Sequence, residues 1–412
     1  MAEQLPVDLS GESLPPSEQS PQQREELRRR RRRRARRRTL RRLLGLLLVA
    51  VVAFLLWKNW DTVAPDKLLA RLQDSMNNTG DGWPVDIAGT NVTGLVRVPG
   101  TAGFSGYTAT LGDSYLVYYN DKGSEATRYP CSYSSAVLRS AGKYALLAEQ
   151  NGRRVQLTTR TAKLLDLTAE EKILSAAVNE KGQFALLTQG PQGYTVQVTV
   201  YDRKGATLYS RSRKLLATEV ALSADGSQVA LLSVKAENGI LQTVVESFSL
   251  TSADTEAVNS YTAQDTLLYR LAYLNGNRLA AVGETGALVL DAAGAQPQIY
   301  DSGTARVLGY AAGNGTLALA LRDYGDTAGG RVVVLDQAAA ECCTVDFSGE
   351  FRHISADGDS YLLLTDSRVQ QITRTGAGKA ADVAADGQKA VLASGGTAVV
   401  LGLSTVQAYE LH

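Results

Sequence analysis

Short apolar runs separated by glycine-containing polar turns recur from about residue 95 to the C-terminus. Each unit has an apolar run, a turn of small or Asp-Gly residues and a second apolar run, which is typical of paired β-strands. Six units are clear and two at the ends are weaker. The units are VLRSAGKYALL (137–147), AVNEKGQFALL (177–187), ALSADGSQVALL (221–232), AYLNGNRLAAV (272–282), GYAAGNGTLALAL (309–321) and HISADGDSYLLL (353–364), with LVRVPGTAGFSGYTATL (95–111) and KAVLASGGTAVVLGL (389–403) at the ends.

The spacing of the units matches one fold in particular. The glycines in their turns follow one another at intervals of 37 to 50 residues, close to the roughly 40–50 residues of a four-stranded propeller blade. These turn glycines are Gly103, Gly142, Gly182, Gly226, Gly276, Gly315, Gly358 and Gly395. The pattern therefore predicts an all-β fold, a β-propeller of eight four-stranded blades, with seven as the alternative if a terminal unit is incomplete.

Two further patterns refine this prediction. A second turn, YNDKG (119–123), VYDRKG (200–205) and VLDAAG (289–294), is expected to join the third strand of a blade to its outermost strand. In the eight-blade arrangement, TVQAYEL (405–411) becomes the third strand of the last blade and PVDI (84–87) its fourth. The two ends of the domain would then share one sheet and close the ring.

The N-terminal region has a different pattern, in which an arginine run meets an apolar run. Twelve of the fifteen residues from Arg28 to Arg42 are arginine, and residues 43–57 carry no charge. Extended to residues 40–60, the segment would span about 31 Å as a helix, enough for a hydrocarbon core of roughly 30 Å. We predict an uncleaved signal anchor, because bulky residues rather than a small-residue cleavage site follow the apolar run. A cleaved signal peptide and a nucleic-acid-binding arm are the alternatives.

The anchor predicts a membrane topology and a set of interface residues. The long basic side chains would extend to the lipid headgroups, and the tryptophans would lie at the membrane interface. These residues are Arg41, Arg42, Trp57, Lys58 and Trp60. The positive-inside rule places the N-terminus in the cytoplasm and the downstream chain outside the cell membrane. This gives a disordered cytoplasmic tail with an Arg-rich run (1–42), a transmembrane anchor (43–60), a juxtamembrane helix and linker (61–81) and the propeller (82–412).

Composition limits the classes of function. The net charge of +1 combines +8 over residues 1–60 with −7 over the rest, so the acidic propeller is not expected to bind nucleic acid. The whole chain has two histidines and three cysteines, which disfavours many enzyme classes and a disulfide framework. We predict neither catalysis nor a cofactor.

Two groups of residues resemble metal sites. Asp-Gly pairs at 225–226, 357–358 and 386–387 could suggest calcium, but the spaced carboxylates of a calcium loop are absent and Asp-Gly is a favoured turn pair. Cys342, Cys343 and His353 could suggest zinc, but a Cys-x-x-Cys pair and a fourth ligand are missing. The sequence favours turns and strand thiols, respectively.

In order along the chain, the short anchor, GDGWPV (80–85), YNDKG, VLRSAGKYALL, VYDRKG and ALSADGSQVALL resemble one known family. It comprises single-pass, membrane-anchored β-propeller proteins of Firmicutes-type bacteria with an uncharacterised function, related to WD40-like and PQQ-like propellers. The resemblance covers roughly residues 40–412. It implies architecture and location but brings no catalytic residues.

Three functions follow as hypotheses. The first is an extracytoplasmic binding or scaffolding module for a protein or cell-envelope partner, favoured by the missing catalytic motifs. The second is a transmembrane sensor that signals through the Arg-rich tail. The third is an extracytoplasmic propeller hydrolase, which would need carboxylates that converge at the centre of the ring.

Overall fold

The structure is a computed structural model. It describes residues 45, 47, 50–52, 54, 82–87, 92–100, 106–252, 256–264, 266–291 and 296–412. The chain divides into two compact units, Met1–Gln73 and Asp74–His412. The described residues of the first unit are helical and exposed.

The second unit consists of eight four-stranded antiparallel sheets, which we call blades 1 to 8. In blades 1 to 7 the four strands follow one another along the chain. Blade 1 comprises β2 (Gly94–Val98), β3 (Tyr107–Leu111), β4 (Tyr115–Asn120) and β5 (Glu125–Pro130); blade 2, β6 (Ala136–Ala141), β7 (Tyr144–Glu149), β8 (Arg154–Thr159) and β9 (Ala162–Thr168); blade 3, β10 (Ile173–Val178), β11 (Phe184–Gln189), β12 (Val196–Tyr201) and β13 (Thr207–Arg213); blade 4, β14 (Leu216–Leu222), β15 (Gln228–Glu237), β16 (Ile240–Ser249) and β17 (Asn259–Ala263).

The remaining blades repeat this arrangement. Blade 5 comprises β18 (Leu268–Tyr273), β19 (Leu279–Gly283), β20 (Gly286–Leu290) and β21 (Gln298–Asp301); blade 6, β22 (Arg306–Ala312), β23 (Leu317–Arg322), β24 (Gly330–Leu335) and β25 (Glu341–Phe347); blade 7, β26 (Phe351–Asp357), β27 (Ser360–Thr365), β28 (Arg368–Thr373) and β29 (Gly376–Asp382); blade 8, β30 (Lys389–Ala393), β31 (Thr397–Leu401), β32 (Thr405–Glu410) and β1 (Val85–Asp86). Eight blades are therefore confirmed, rather than seven.

Local turn chemistry explains where the strands end. Between the innermost and second strands, glycines such as Gly182 (φ 78°) and Gly226 (φ 66°) adopt left-handed backbone angles that disfavour other residues. Between the third and outermost strands, Asn120 and Asp202 each accept hydrogen bonds from the backbone N–H groups two and four residues later. Both kinds of recurring turn occur among the described residues, and Asp336 forms a further turn of the second kind. The predicted turn glycine Gly103 and residues 292–294 of the predicted turn VLDAAG lie outside the described residues.

The core lies between the blades. Eight apolar clusters are present, one between each pair of neighbouring blades. The second strands supply much of each cluster, because side chains on both of their faces are buried. A single blade could not bury both of its faces, so the ring depends on every neighbour.

Blade 8 closes the ring with strands from both ends of the domain. Val85 and Asp86 of β1 pair with Val406 and Thr405 of β32. The N–H of Ile87 extends this pairing by donating to the carbonyl of Ser404 at 2.8 Å. The predicted closure by residues 84–87 is confirmed.

Each connection in the meander lies on one of two faces of the ring. We define the upper face as the side on which the innermost strands begin. It carries the links between the second and third strands and between successive blades. The lower face carries the turns from the innermost to the second strand and from the third to the outermost strand.

Candidate functional site

The eight innermost strands surround a central channel. A cavity of about 530 Å³ is lined by residues from all eight of these strands. A second space of about 690 Å³ adjoins it at the lower face, where the turns after the innermost strands form its rim. Both volumes are in the range of small-ligand sites, and the channel is therefore a candidate ligand site.

The lower end of the channel combines one cation, whose side chain is 8% exposed, with three carboxylates. Arg97 donates to the Asp121 carboxylate at 2.7 Å and to Ser394 Oγ at 2.9 Å, which links blade 1 to blade 8. Asp357 and Glu180 also line this end. Burial raises the pKa of Asp357, and the positive charge of Arg97 partly offsets that effect. Carboxylates therefore outnumber cations at this end of the channel.

The upper half of the channel holds a partly buried ion pair. Glu219 on β14 is buried, with 9% of its surface exposed, and its carboxylate lies 3.8 Å from the guanidinium of Arg270 on β18. Burial raises the pKa of Glu219, whereas the charges of Arg139 and Arg270 lower it. Arg139 on β6 lines the same cavity, so strands of blades 2, 4 and 5 supply interacting charges.

The opposite side of the upper half carries His353, Lys389 and Tyr310. Burial, and next the charge of Lys389, lower the pKa of His353 to about 4, so its ring is neutral at pH 7. His353 Nδ1 accepts the N–H of Ala390 at 3.4 Å, which leaves the ring hydrogen on Nε2. The ammonium of Lys389 donates to the carbonyl of Thr93 at 2.8 Å, and burial followed by the charge of Arg139 lowers its pKa.

Backbone irregularities help to place these side chains. The pairing between the innermost and second strands shifts register immediately before Glu219, Arg270 and His353. A β-bulge inserts one extra residue and re-aims the side chains that follow it. The same local feature thus precedes three polar residues of the channel in three different blades.

A model of a family of unknown function (DUF5711) matches residues 96–408, which are 313 of the 412 residues. The chain belongs to the DUF5711 family. The match covers almost the whole ring, from the first innermost strand to the last blade. Comparison with the curated proteins found none that matches.

Several solved structures resemble this DUF5711 protein at low sequence identity. BamB from Moraxella catarrhalis is 10% identical, with a TM-score of 0.47 over 78% of this chain and 99% of that chain. Kuenenia stuttgartiensis hydrazine synthase is 10% identical, with a TM-score of 0.45 over 80% of this chain and 98% of that chain. The Neurospora crassa Pan2 WD40 domain is 9% identical, with a TM-score of 0.45 over 79% of this chain and 93% of that chain.

The predicted membrane-interface residues lie in a part of the chain that the structure does not describe. Arg41, Arg42, Trp57, Lys58 and Trp60 all lie outside the described residues, as does the predicted juxtamembrane helix. Among the residues that the structure does describe, no helix combines the length and apolar character needed to cross a membrane. The anchor and its topology remain predictions.

The residues that resembled metal sites have structural roles. Asp225 accepts hydrogen bonds from the backbone N–H of Ser227, the hydroxyl of Ser223 and the amide of Asn277, as a turn residue does. Cys342 and Cys343 lie as free thiols on an outermost strand, and Cys343 Sγ donates to the carbonyl of Thr373 at 3.2 Å. Asp225 and the two cysteines therefore have the turn and strand roles that the sequence favoured, whereas Asp357 and His353 line the central channel.

Sequence reasoning did not predict that charged residues of several innermost strands meet in the channel. Their signal is a charge within an otherwise apolar innermost strand, as in VLRSA around Arg139, ATEVAL around Glu219 and LYRLAY around Arg270. Such a charge could equally lie on an outer surface. Only the closed ring directs several of them toward one space.

The two faces of the ring differ in exposed apolar residues. Eleven large apolar side chains are exposed within the described part of the ring, and eight of them lie on the upper face. These eight are Tyr115, Tyr194, Leu216, Ile240, Leu241, Leu267, Tyr324 and Leu403. Six of the eight belong to blades 3 to 6. Exposed apolar side chains that form a patch on one face often mark a site of interaction.

The hairpin of β15 and β16 rises above this face. Its pairing continues to Glu237 and Ile240, whereas the innermost strand of the blade pairs no further than Val234. Three further residues at about 3.4 Å each extend the hairpin by roughly 10 Å. Its tight turn at Asn238 (φ 52°) and Gly239 (φ 80°) holds Ile240 and Leu241 about half exposed at the tip.

Proposed function

We propose that this DUF5711 protein is a membrane-anchored, extracytoplasmic binding module that docks a protein partner on its upper face. The observation that carries the proposal is the concentration of eight of eleven exposed large apolar side chains on that face. Aromatic and aliphatic side chains of this kind supply the buried centre of protein interfaces.

The hairpin of blade 4 supplies the most prominent contact of the proposed interface. Ile240 and Leu241 are 51% and 52% exposed, and Tyr324 on blade 6 is 94% exposed. The strand edges of the projecting ribbon also leave backbone N–H and C=O groups available to a partner. A partner on blades 3 to 6 would cover these apolar groups together.

Membrane attachment in this proposal rests on the N-terminal sequence. Because the apolar run follows an arginine run, the ring would lie outside the cell membrane. Protease treatment of intact cells should therefore digest the ring, with a cytoplasmic protein of the same host as the protected control. A ring that is protected until the cells are lysed would refute this placement.

Photo-crosslinking in living cells tests the docking proposal. A photoreactive amino acid is placed at Ile240 or Tyr324 on the upper face, and at Lys122 or Lys204 on lower-face turns as matched exposed controls. We expect a discrete protein adduct, identified by mass spectrometry, from the upper positions only. Adducts from the lower positions alone would place the interface on the other face. The absence of adducts from all four would contradict a binding module.

A further inference from the structure

The upper half of the channel carries more positive than negative charge. Arg139 and Lys389 line the cavity together with a single carboxylate, that of Glu219. Arg270 adds a third positive charge beside the cavity through its ion pair with Glu219. Arg97 at the lower end is already paired with Asp121. The excess is therefore concentrated on the side of the channel that opens toward the upper face, while Glu180 and Asp357 line the lower mouth.

Arg139 is the cation with the fewest protein contacts. Its exposed side chain lines the cavity, and the structure gives it no hydrogen bond or ion pair with any described residue. Its charge nevertheless affects Glu219, Tyr310 and Lys389 on three other blades. A guanidinium that has no direct ion pair and lies in a partly enclosed space attracts anions more strongly than one in open water.

Two neutral groups add hydrogen-bond donors to the same space. Tyr310 lines the cavity, and no described residue hydrogen-bonds to its hydroxyl. His353 is neutral, and its Nδ1 acceptor is occupied by the Ala390 N–H, so its remaining ring nitrogen is a donor. Several donors around two or more cations suit a group with multiple acceptor oxygens.

We propose that the upper half of the central channel, between Arg139, Arg270 and Lys389, binds an oxyanion, the carboxylate or phosphate group of a small ligand. The cavity of about 530 Å³ would admit a small molecule or a single chain end but not a folded domain. This site goes beyond the proposed docking function, because it lies inside the ring and its ligand is held by charge rather than by apolar contact.

Titration calorimetry on the full-length protein in neutral detergent tests the proposal. Inorganic phosphate and citrate are the probes, at pH 7 and constant ionic strength, with chloride as the background anion. We expect saturable binding of at least one probe. Phosphate binding alone would identify a phosphate ligand, and citrate binding alone a carboxylate ligand.

Matched arginine variants locate the site. Loss of one charge-assisted contact should weaken binding about tenfold or more in Arg139→Gln. Arg139→Lys should retain much of the affinity because it keeps the charge. Arg374→Gln removes an exposed arginine on a lower-face turn and should leave binding unchanged. Since Arg139 has no hydrogen bond to a described residue, the unliganded Arg139→Gln protein should melt at the wild-type temperature.

Two outcomes would overturn the proposal. One is the absence of binding by both probes throughout the millimolar range. The other is equal affinity in wild type, Arg139→Gln and Arg374→Gln, which would show that any binding occurs elsewhere. Neither outcome would affect crosslinking from Ile240, so failure of the oxyanion site can be distinguished from failure of the docking function.

Discussion

Closure of the ring by its N-terminal strand makes a testable prediction about stability. Ile87 is 6% exposed and packs in the cluster between blades 8 and 1, next to the short strand β1. Replacing it with alanine removes three carbon atoms from this cluster. The lost transfer free energy is about 2.4 kcal/mol at roughly 0.8 kcal/mol per carbon, and the remaining cavity adds to it.

We therefore expect Ile87→Ala to lower the free energy of unfolding by about 2 to 4 kcal/mol. The matched control is Ile299→Ala, which makes the same substitution on an outermost strand where isoleucine is 63% exposed. This control substitution should change the free energy of unfolding by no more than about 0.5 kcal/mol. Chemical denaturation followed by circular dichroism measures both values.

Deleting residues 82–90 extends the test from one side chain to the whole closing strand. This deletion removes β1 and leaves β32 as an unpaired edge, so the melting temperature of the entire ring should fall. The closure argument would be refuted if the deletion melted like wild type, or if Ile87→Ala and Ile299→Ala were equally stable.

Two further predictions concern buried polar groups. Tyr118→Phe removes a fully buried hydroxyl that forms a 2.8 Å hydrogen bond with Thr158 Oγ1 of the next blade. It should lower the free energy of unfolding, measured by chemical denaturation, by about 1 kcal/mol, whereas the exposed control Tyr194→Phe should leave it almost unchanged. Equal effects of the two substitutions would contradict this role of the buried hydroxyl. The pKa of His353 is about 4 in the folded chain and 6.5 in the unfolded chain, so its contribution to stability is present above pH 6.5 and is lost as the pH falls toward 4. Between pH 7.5 and pH 5, the free energy of unfolding of the wild type should therefore fall by about 2 kcal/mol more than that of His353→Gln. Equal falls in the two proteins would contradict this contribution of His353.

Local features made much of the fold predictable from the sequence. A left-handed glycine such as Gly226, or a turn side chain such as Asp202, acts on backbone groups only a few residues away. These signals therefore survive in a single sequence and mark the ends of strands. In blade 5 the left-handed residue is Asn277 (φ 59°), next to the predicted turn glycine. Either residue type can end the strand at this point.

Counting strands also predicted the closure of the ring. Three strands after Gln388 leave the last blade one strand short, and the only unassigned strand-like segment lies at residues 84–87. The requirement that a blade bury both of its faces then joins the two ends of the domain. The N-terminal anchor and its interface residues depend on sequence alone and remain predictions.

The amino-acid sequence by itself predicted the blades and their turns and favoured eight blades over seven, because these features follow from the period of apolar residues and from local backbone chemistry. Only the tertiary structure decided which charges meet. Arg139 and Lys389 are far apart in sequence, yet both line one cavity because the blades are stacked radially around it. The same stacking places Tyr194, Ile240 and Tyr324 on one face. A repeat pattern records strands and turns, but it does not record which polar side chains of different repeats converge on the axis of the ring.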